Sequence, residues 1–198
     1  MVSTHTQQLN HALKEWAVAV EALQAGKTII LLRKGGIKEV KKGFQVKYPK
    51  FWLYPTYEHQ KPELLKPEYA AKVTPVESGW HPAKITISVC GEITKVIPLQ
   101  DRAKVEALQP YHIWNEPMIS DRLSWQSDRP ILLLLLRAYR LPQEKIIPFD
   151  RAYGGCKSWI DLAEPISTET LVPVLDNEVY QQKVAEITEL VNCYSNRY

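Results

Sequence analysis

Sulfur is scarce in this 198-residue chain. Its three cysteines, Cys90, Cys156 and Cys193, stand far apart with no Cys-x-x-Cys among them. An odd and scattered set argues against a disulfide framework and against a structural zinc site, and it suits a reducing compartment. No two of the five histidines share a helical i, i+4 spacing, so no metal site is expected. Neither the G-x-x-x-x-G-K-[ST] nor the G-x-G-x-x-G pattern occurs, which gives no support to a bound nucleotide cofactor, and none is expected. The longest fully apolar run, 131–136, is too short to cross a bilayer. The first residues lack the basic-then-apolar order of a secretion signal. The expectation is a cytoplasmic protein with no membrane partner and an oligomeric state that the sequence leaves open.

Phenylalanine is scarce as well, with three residues against six Trp and ten Tyr. Aromatics with a polar edge suit half-buried faces and binding surfaces as well as cores. Hydrophobic residues make up 45% and charged residues 24%, the balance of a folded domain rather than a disordered one. The length fits a single domain over 1–198.

Acidic residues are nearly missing from one window. Between Lys27 and Lys50 lie eight basic residues, Lys27, Arg33, Lys34, Lys38, Lys41, Lys42, Lys47 and Lys50, and one acid, Glu39. That window carries +7 in a chain of +3. Such asymmetry can mark a surface that meets phosphate, or a solvated hairpin whose lysines guard an edge strand.

Leu9, Leu13, Trp16, Val20 and Leu23 recur at helical spacing, so 5–25 reads as an amphipathic helix that Gly26 would stop. A buried strand follows over 27–33, and Gly35 and Gly36 supply a turn. Residues 44–48 alternate as a second strand, and 51–54 form a third that Pro55 ends. Residues 61–73 read as short helical turns, and 75–82 as a loop. Residues 84–89 and 92–99 read as a hairpin about Cys90-Gly91. Asp101 caps a short helix, another covers 117–126, and 131–141 is a strand bracketed by prolines. Pro165 and Pro173 keep the next part irregular, and an amphipathic helix covers 176–195. The expected class is α+β: a sheet-forming core over about 27–141, mixed and curled or a small barrel, between N- and C-terminal helices.

Several segments carry a resemblance: LKEWAVAVEAL, the Gly-Lys strand ending in LLRKGGI, FWLYPTYEHQ, HIW, LLLRAYRLP and YGGCKSWIDL. Together they resemble a cyanobacterial domain-of-unknown-function family (DUF1802-like), whose members stand beside restriction-endonuclease-like domains. That resemblance implies a link to nucleic acid, with restriction or defence as its setting. Gly26, Lys27, Ile30, Leu32 and Arg33 also resemble the opening of the ASCH group in the PUA-like superfamily, although Leu31 stands where that group has glutamate. The second resemblance implies a PUA-like curled sheet of the kind that binds RNA or modified bases.

Three functions follow, and the residues leave open whether the chain is an enzyme. The leading one is a nucleic-acid-binding module, for RNA or DNA. Lys27, Arg33, Lys34, Lys38, Lys41 and Lys42 would meet phosphates, while Trp52, Tyr54 and Tyr57 would offer a stacking surface. The second is a nuclease or base-modifying enzyme. There His59 would act as base with Glu58 as orienter, joined by His112 in a polar pocket, or Glu39 of a Glu-Val-Lys tripeptide would hold magnesium. Cys156, beside a double glycine, reads as a structural thiol. The third is a protein-interaction subunit using the last helix.

Overall fold

The computed structural model describes residues 7–34 and 43–193. Lys38, Glu39, Lys41 and Lys42, with Gly35 and Gly36, lie outside the described residues.

The helix expected over 5–25 is only half there. Gln8–Trp16 is a strand, β1, and the helix α1 is confined to Ala17–Gln24. Pairing decides this. β1 runs parallel to β3 (Lys50–Thr56) on one side and antiparallel to β6 (Trp159–Ser167) on the other. Ladder bonds on both edges outweigh a weak helical period. Strand alternation also gives both faces something to bury. Leu13, Phe51 and Leu53 enter the main core, while Ala12, Trp52 and Tyr54 enter a second core with Ile85, Ile87 and Ile160. α1 ends as its sequence dictates. Gly26 takes φ +67, and the Lys27 N–H reaches the Ala22 carbonyl at 2.9 Å.

Among the described residues seven strands form one mixed sheet. The remaining strands are β2 (Ile30–Arg33), β4 (Lys84–Leu99), β5 (Ile131–Pro148) and β7 (Val172–Pro173). Their order is β2-β5-β4-β3-β1-β6, with β7 on β5. The sheet core thus reaches well past 141. The leucine run is a strand, as its bracketing implies, and Leu133 to Leu136 are wholly buried between β2 and β4.

Two expected features of the sheet are corrected. Residues 44–48 belong to no strand: Phe44 is buried, but its neighbours are exposed or half-exposed and join no strand ladder. No hairpin turns at Cys90-Gly91, because β4 runs straight through, with Cys90 opposite Tyr139 and Gly91 opposite Ala138. Gly91 serves close packing. A Cβ there would stand 3.0 Å from Leu136 and 3.3 Å from Phe51. Prolines also interrupt less than expected, since Pro55, Pro142 and Pro165 all lie within strands.

The helices α2 (Pro67–Ala70), α3 (Arg102–Ala107) and α4 (Glu116–Ser124) sit in the connections. Asp101 and Asn115 cap α3 and α4 through the Ala103 and Met118 N–H groups. The last helix, α5 (Asn177–Cys193), buries Tyr180, Ile187 and Val191 against the sheet. These three residues are spent on its own fold, while Val179 stays 42% exposed. No described helix is long and apolar enough to cross a membrane.

The sheet is curled and open. No described backbone pairing joins β2 to β6, but a side chain spans the gap. Arg33, at the end of β2, bonds Glu15 of β1 at 3.0 Å and the Ser158 hydroxyl, just before β6, at 2.8 Å. The guanidinium also lies over the Phe44 ring at 4.9 Å. Glu15 is 7% exposed and Arg33 17%, so this is a largely buried ion pair.

Candidate nucleic-acid interface

The Arg33 clasp forms the floor of a cleft of about 880 Å³. Its walls come from the ends of β1, β2 and β3, from α4, and from the turn before β6. Volumes near this size hold small organic ligands. One wall is aromatic: Trp16, Trp114 and Trp125 line it, and the first two meet edge-to-face at 4.9 Å. Lys14, Arg33, Arg122 and Lys157 supply positive charge.

Arg122 is the notable cation. Among the described residues its guanidinium makes no hydrogen bond and no ion pair, although its carbonyl accepts from Lys34 at 2.7 Å. Burial lowers its pKa, and the facing Arg33 lowers it further, with Glu15 and Asp121 offsetting part of this. Two guanidinium groups held near one another in a half-desolvated wall favour an anion between them. Lys14 is anchored differently: its ammonium donates to the carbonyls of Tyr153 and Gly155, each at 2.8 Å. Burial pulls its pKa down, against the pull of Glu58 and Cys156.

At the rim stand Glu58 and His59. His59 holds φ 64, a backbone conformation that costs a side chain about 1–2 kcal/mol. Its Nε2 lies 3.1 Å from the Glu58 carboxylate. Burial would raise the Glu58 pKa. The Gly79 N–H at 2.6 Å, His59, the Ser78 hydroxyl and Lys14 together hold it below the usual carboxylate range. Glu58 is thus an anion fixed in place, and His59 is open to solvent.

The residues expected at the site scatter. Arg33 is present, as clasp more than free cation. Lys34 is 3% exposed and spends its ammonium on the Arg122 and Leu123 carbonyls, so it is no phosphate contact. Its pKa is lowered by that burial. Lys27 is exposed beyond α1 and lines no part of the cleft. Trp52 is wholly buried, its indole N–H bonded to the Leu9 carbonyl at 3.0 Å, and offers no stacking surface. Tyr54 is buried and Tyr57 half-buried, both in the wall of a second, smaller cavity. His112 lies far into the core, where burial drops its pKa to about 4, and it does not join His59. Cys156, expected to be a packed thiol, is exposed on the cleft rim.

The cleft tryptophans, Lys14 and Arg122 were not foreseen. Only the excess of tryptophan hinted at them, and no local pattern marks Trp16, Trp114 and Trp125 as neighbours. No cluster of three or more His, Cys, Asp or Glu side chains able to hold a metal exists among the described residues.

The sequence model of the family described as "Domain of unknown function (DUF1802)" matches residues 12–186. The chain belongs to that family. The DUF1802 match spans every residue lining the cleft. No curated protein matches the chain. Among solved structures, the DUF1802 chain is similar to the crystal structure of ASCH from Zymomonas mobilis, at 14% identity and a TM-score of 0.44, covering 89% of this chain and 93% of that one. A mutant protein of the same ASCH matches at 14% identity and a TM-score of 0.42, over 89% and 94%. Neither lends a residue role to the DUF1802 chain.

Proposed function

We propose that this protein binds nucleic acid by seating an unpaired nucleotide in the cleft. The base lies against Trp16 and Trp125, and a phosphate lies between Arg122 and Arg33. The observation that carries the reading is the Arg122 guanidinium, half-buried beside a second guanidinium and facing a tryptophan wall. An anion attached to a flat ring fits that pairing, and a nucleotide is both. A paired base is already stacked on both faces, so the cleft suits single strands or flipped nucleotides. Among the described members of the basic window only Arg33 lines the cleft, and the exposed Lys27 and Lys47 assist by long-range charge.

Short single-stranded RNA and DNA should quench the intrinsic tryptophan fluorescence, and duplexes of the same sequence should not. Trp16→Ala should weaken single-strand binding by about tenfold, the worth of one stacked base. Equal binding of duplex and single strand, or an unchanged Trp16→Ala variant, would overturn the assignment of the base to this wall.

A second reading, a nucleic-acid-processing enzyme, is supported by the Glu58–His59 pair, exposed on the cleft rim with the carboxylate ionised. There Glu58 orients the imidazole as a general base toward the bound strand. In that case bound oligonucleotide is altered over time by the wild type but not by His59→Ala, while both bind it equally. Intact oligonucleotide after long incubation with the wild type, with and without magnesium, excludes it.

A further inference from the structure

Beside the cleft lies a second, narrower chamber of about 250 Å³. Lys14, Thr56, Glu58, Gly79 and Gly155 line both spaces, so the two share one wall. The chamber is far more aromatic than the cleft. Tyr54, Tyr57, Trp80, His81, Phe149 and Tyr153 line it. These rings are packed on one another: Tyr54 meets Tyr153 at 5.6 Å, Tyr57 meets Trp80 edge-on at 6.0 Å, and His81 stacks on Phe149 at 3.3 Å. Trp80 is nonetheless 46% exposed, so part of its indole is open to a further ring.

A polar group here also lacks its partner. Tyr54 is 3% exposed, yet among the described residues its hydroxyl makes no hydrogen bond. Buried hydroxyls are nearly always paired, and one left unpaired calls for an explanation. The phenol packed against it is satisfied, since the Tyr153 oxygen accepts the Ala163 N–H at 2.8 Å. Tyr54 lines the chamber and not the cleft.

We infer that the chamber is a second base subsite, so that the protein binds a dinucleotide step, with one base in the cleft, the next in the chamber, and the bridging phosphate beside Lys14. The inference rests on the nucleotide reading of the cleft and extends it. Size separates the two sites: ligand pockets run from about 300 to 1,000 Å³, so the cleft takes a whole nucleotide and the chamber a single ring system. Chemistry agrees. A base has two π faces for the tyrosine and tryptophan rings, and an edge of donors and acceptors for the Tyr54 hydroxyl. Lys14 spends two of its three N–H donors on carbonyls, which leaves one for a phosphate oxygen at the junction. Ionised Glu58 at the same junction opposes a phosphate placed on its side, which confines the bridge to the Lys14 side.

The test compares nucleoside 5′-monophosphates with 5′-phosphorylated dinucleotides by calorimetry on the intact chain. The dinucleotide should bind about tenfold tighter than the monophosphate, the gain of one further stacked base. Trp80→Ala should remove most of that gain, Tyr54→Phe should remove the share of it that the hydroxyl supplies, and both should leave monophosphate affinity unchanged. Tyr54→Phe carries a second, opposite signature: it deletes an unsatisfied hydroxyl, so the unliganded protein should melt no lower than wild type while the dinucleotide gain falls. Monophosphate binding with no dinucleotide gain overturns the subsite and leaves the cleft reading standing. A gain that survives both variants also overturns it. Binding of neither ligand overturns both.

Discussion

Arg33→Met is expected to lower the free energy of unfolding by about 3–5 kcal/mol, the usual consequence of removing one member of a buried ion pair. The size follows from what is left behind. Glu15 is 7% exposed, and without the guanidinium its buried carboxylate keeps, among the described residues, the Trp16 N–H at 2.8 Å as its remaining hydrogen-bond donor. The same side chain is the bridge between the two ends of an open sheet, so its loss also loosens β2 against β1 and β6. Urea denaturation followed by tryptophan fluorescence reads this directly. The double variant Arg33→Met with Glu15→Gln should recover most of the loss, because it removes the stranded charge along with its partner. A single-variant cost below about 1 kcal/mol, as at an exposed pair, would mean that Arg33 does not clasp the sheet.

Stability should also fall steeply in mild acid because of His112. Its folded pKa is about 4 against an ordinary value of 6.5, driven by burial and then by the charge of Lys66. Between those two values the unfolded chain takes up a proton that the folded chain refuses, so unfolding is favoured as pH drops. The contribution of the neutral imidazole is fully present above pH 6.5 and is lost progressively toward pH 4, about 3 kcal/mol in all. Below pH 4 both states are protonated and this slope vanishes. His112→Leu removes the slope over that window whatever it does to the absolute stability. An unchanged slope in that variant would assign the acid sensitivity to other groups.

The sheet was more legible than the site, and particular residues show why. The leucine run of β5 is read correctly because prolines and an aspartate bracket it to strand length, which is local information. β1 is misread because its strand character comes from β3 and β6, some forty and one hundred and fifty residues away. Its own spacing of Leu9, Leu13 and Trp16 fits a helix as well. Gly91 was read as a turn because glycine most often punctuates; here it makes room for Leu136 and Phe51, which only the packing reveals.

The site follows the same logic. Arg33 and the Glu58–His59 pair, singled out because they end strands visible in the sequence, do line the cleft. Lys34 was taken as a surface cation from its charge, but two carbonyls of the α4 end draw its ammonium inward. Trp52 and Tyr54 share one face of β3, which packs into a second core, and of the two only Tyr54 also lines a cavity. Trp16, Trp114 and Arg122 meet only through folding, so no window of sequence contains them together.

Anisotropy titrations of one labelled single-stranded oligonucleotide over a salt series, run in parallel on wild type, Arg122→Ala and Lys41→Glu with Lys42→Glu, test the cleft most directly. If the cleft holds the phosphate, Arg122→Ala weakens binding at least about tenfold and reduces the salt slope by about 0.7, the share of one single-strand phosphate. The double lysine variant then lowers affinity through general charge while the preference for single strands over duplex persists. Wild-type affinity and slope in Arg122→Ala, with binding abolished in the lysine variant, would contradict the account and move the nucleic-acid surface from the cleft to the basic window.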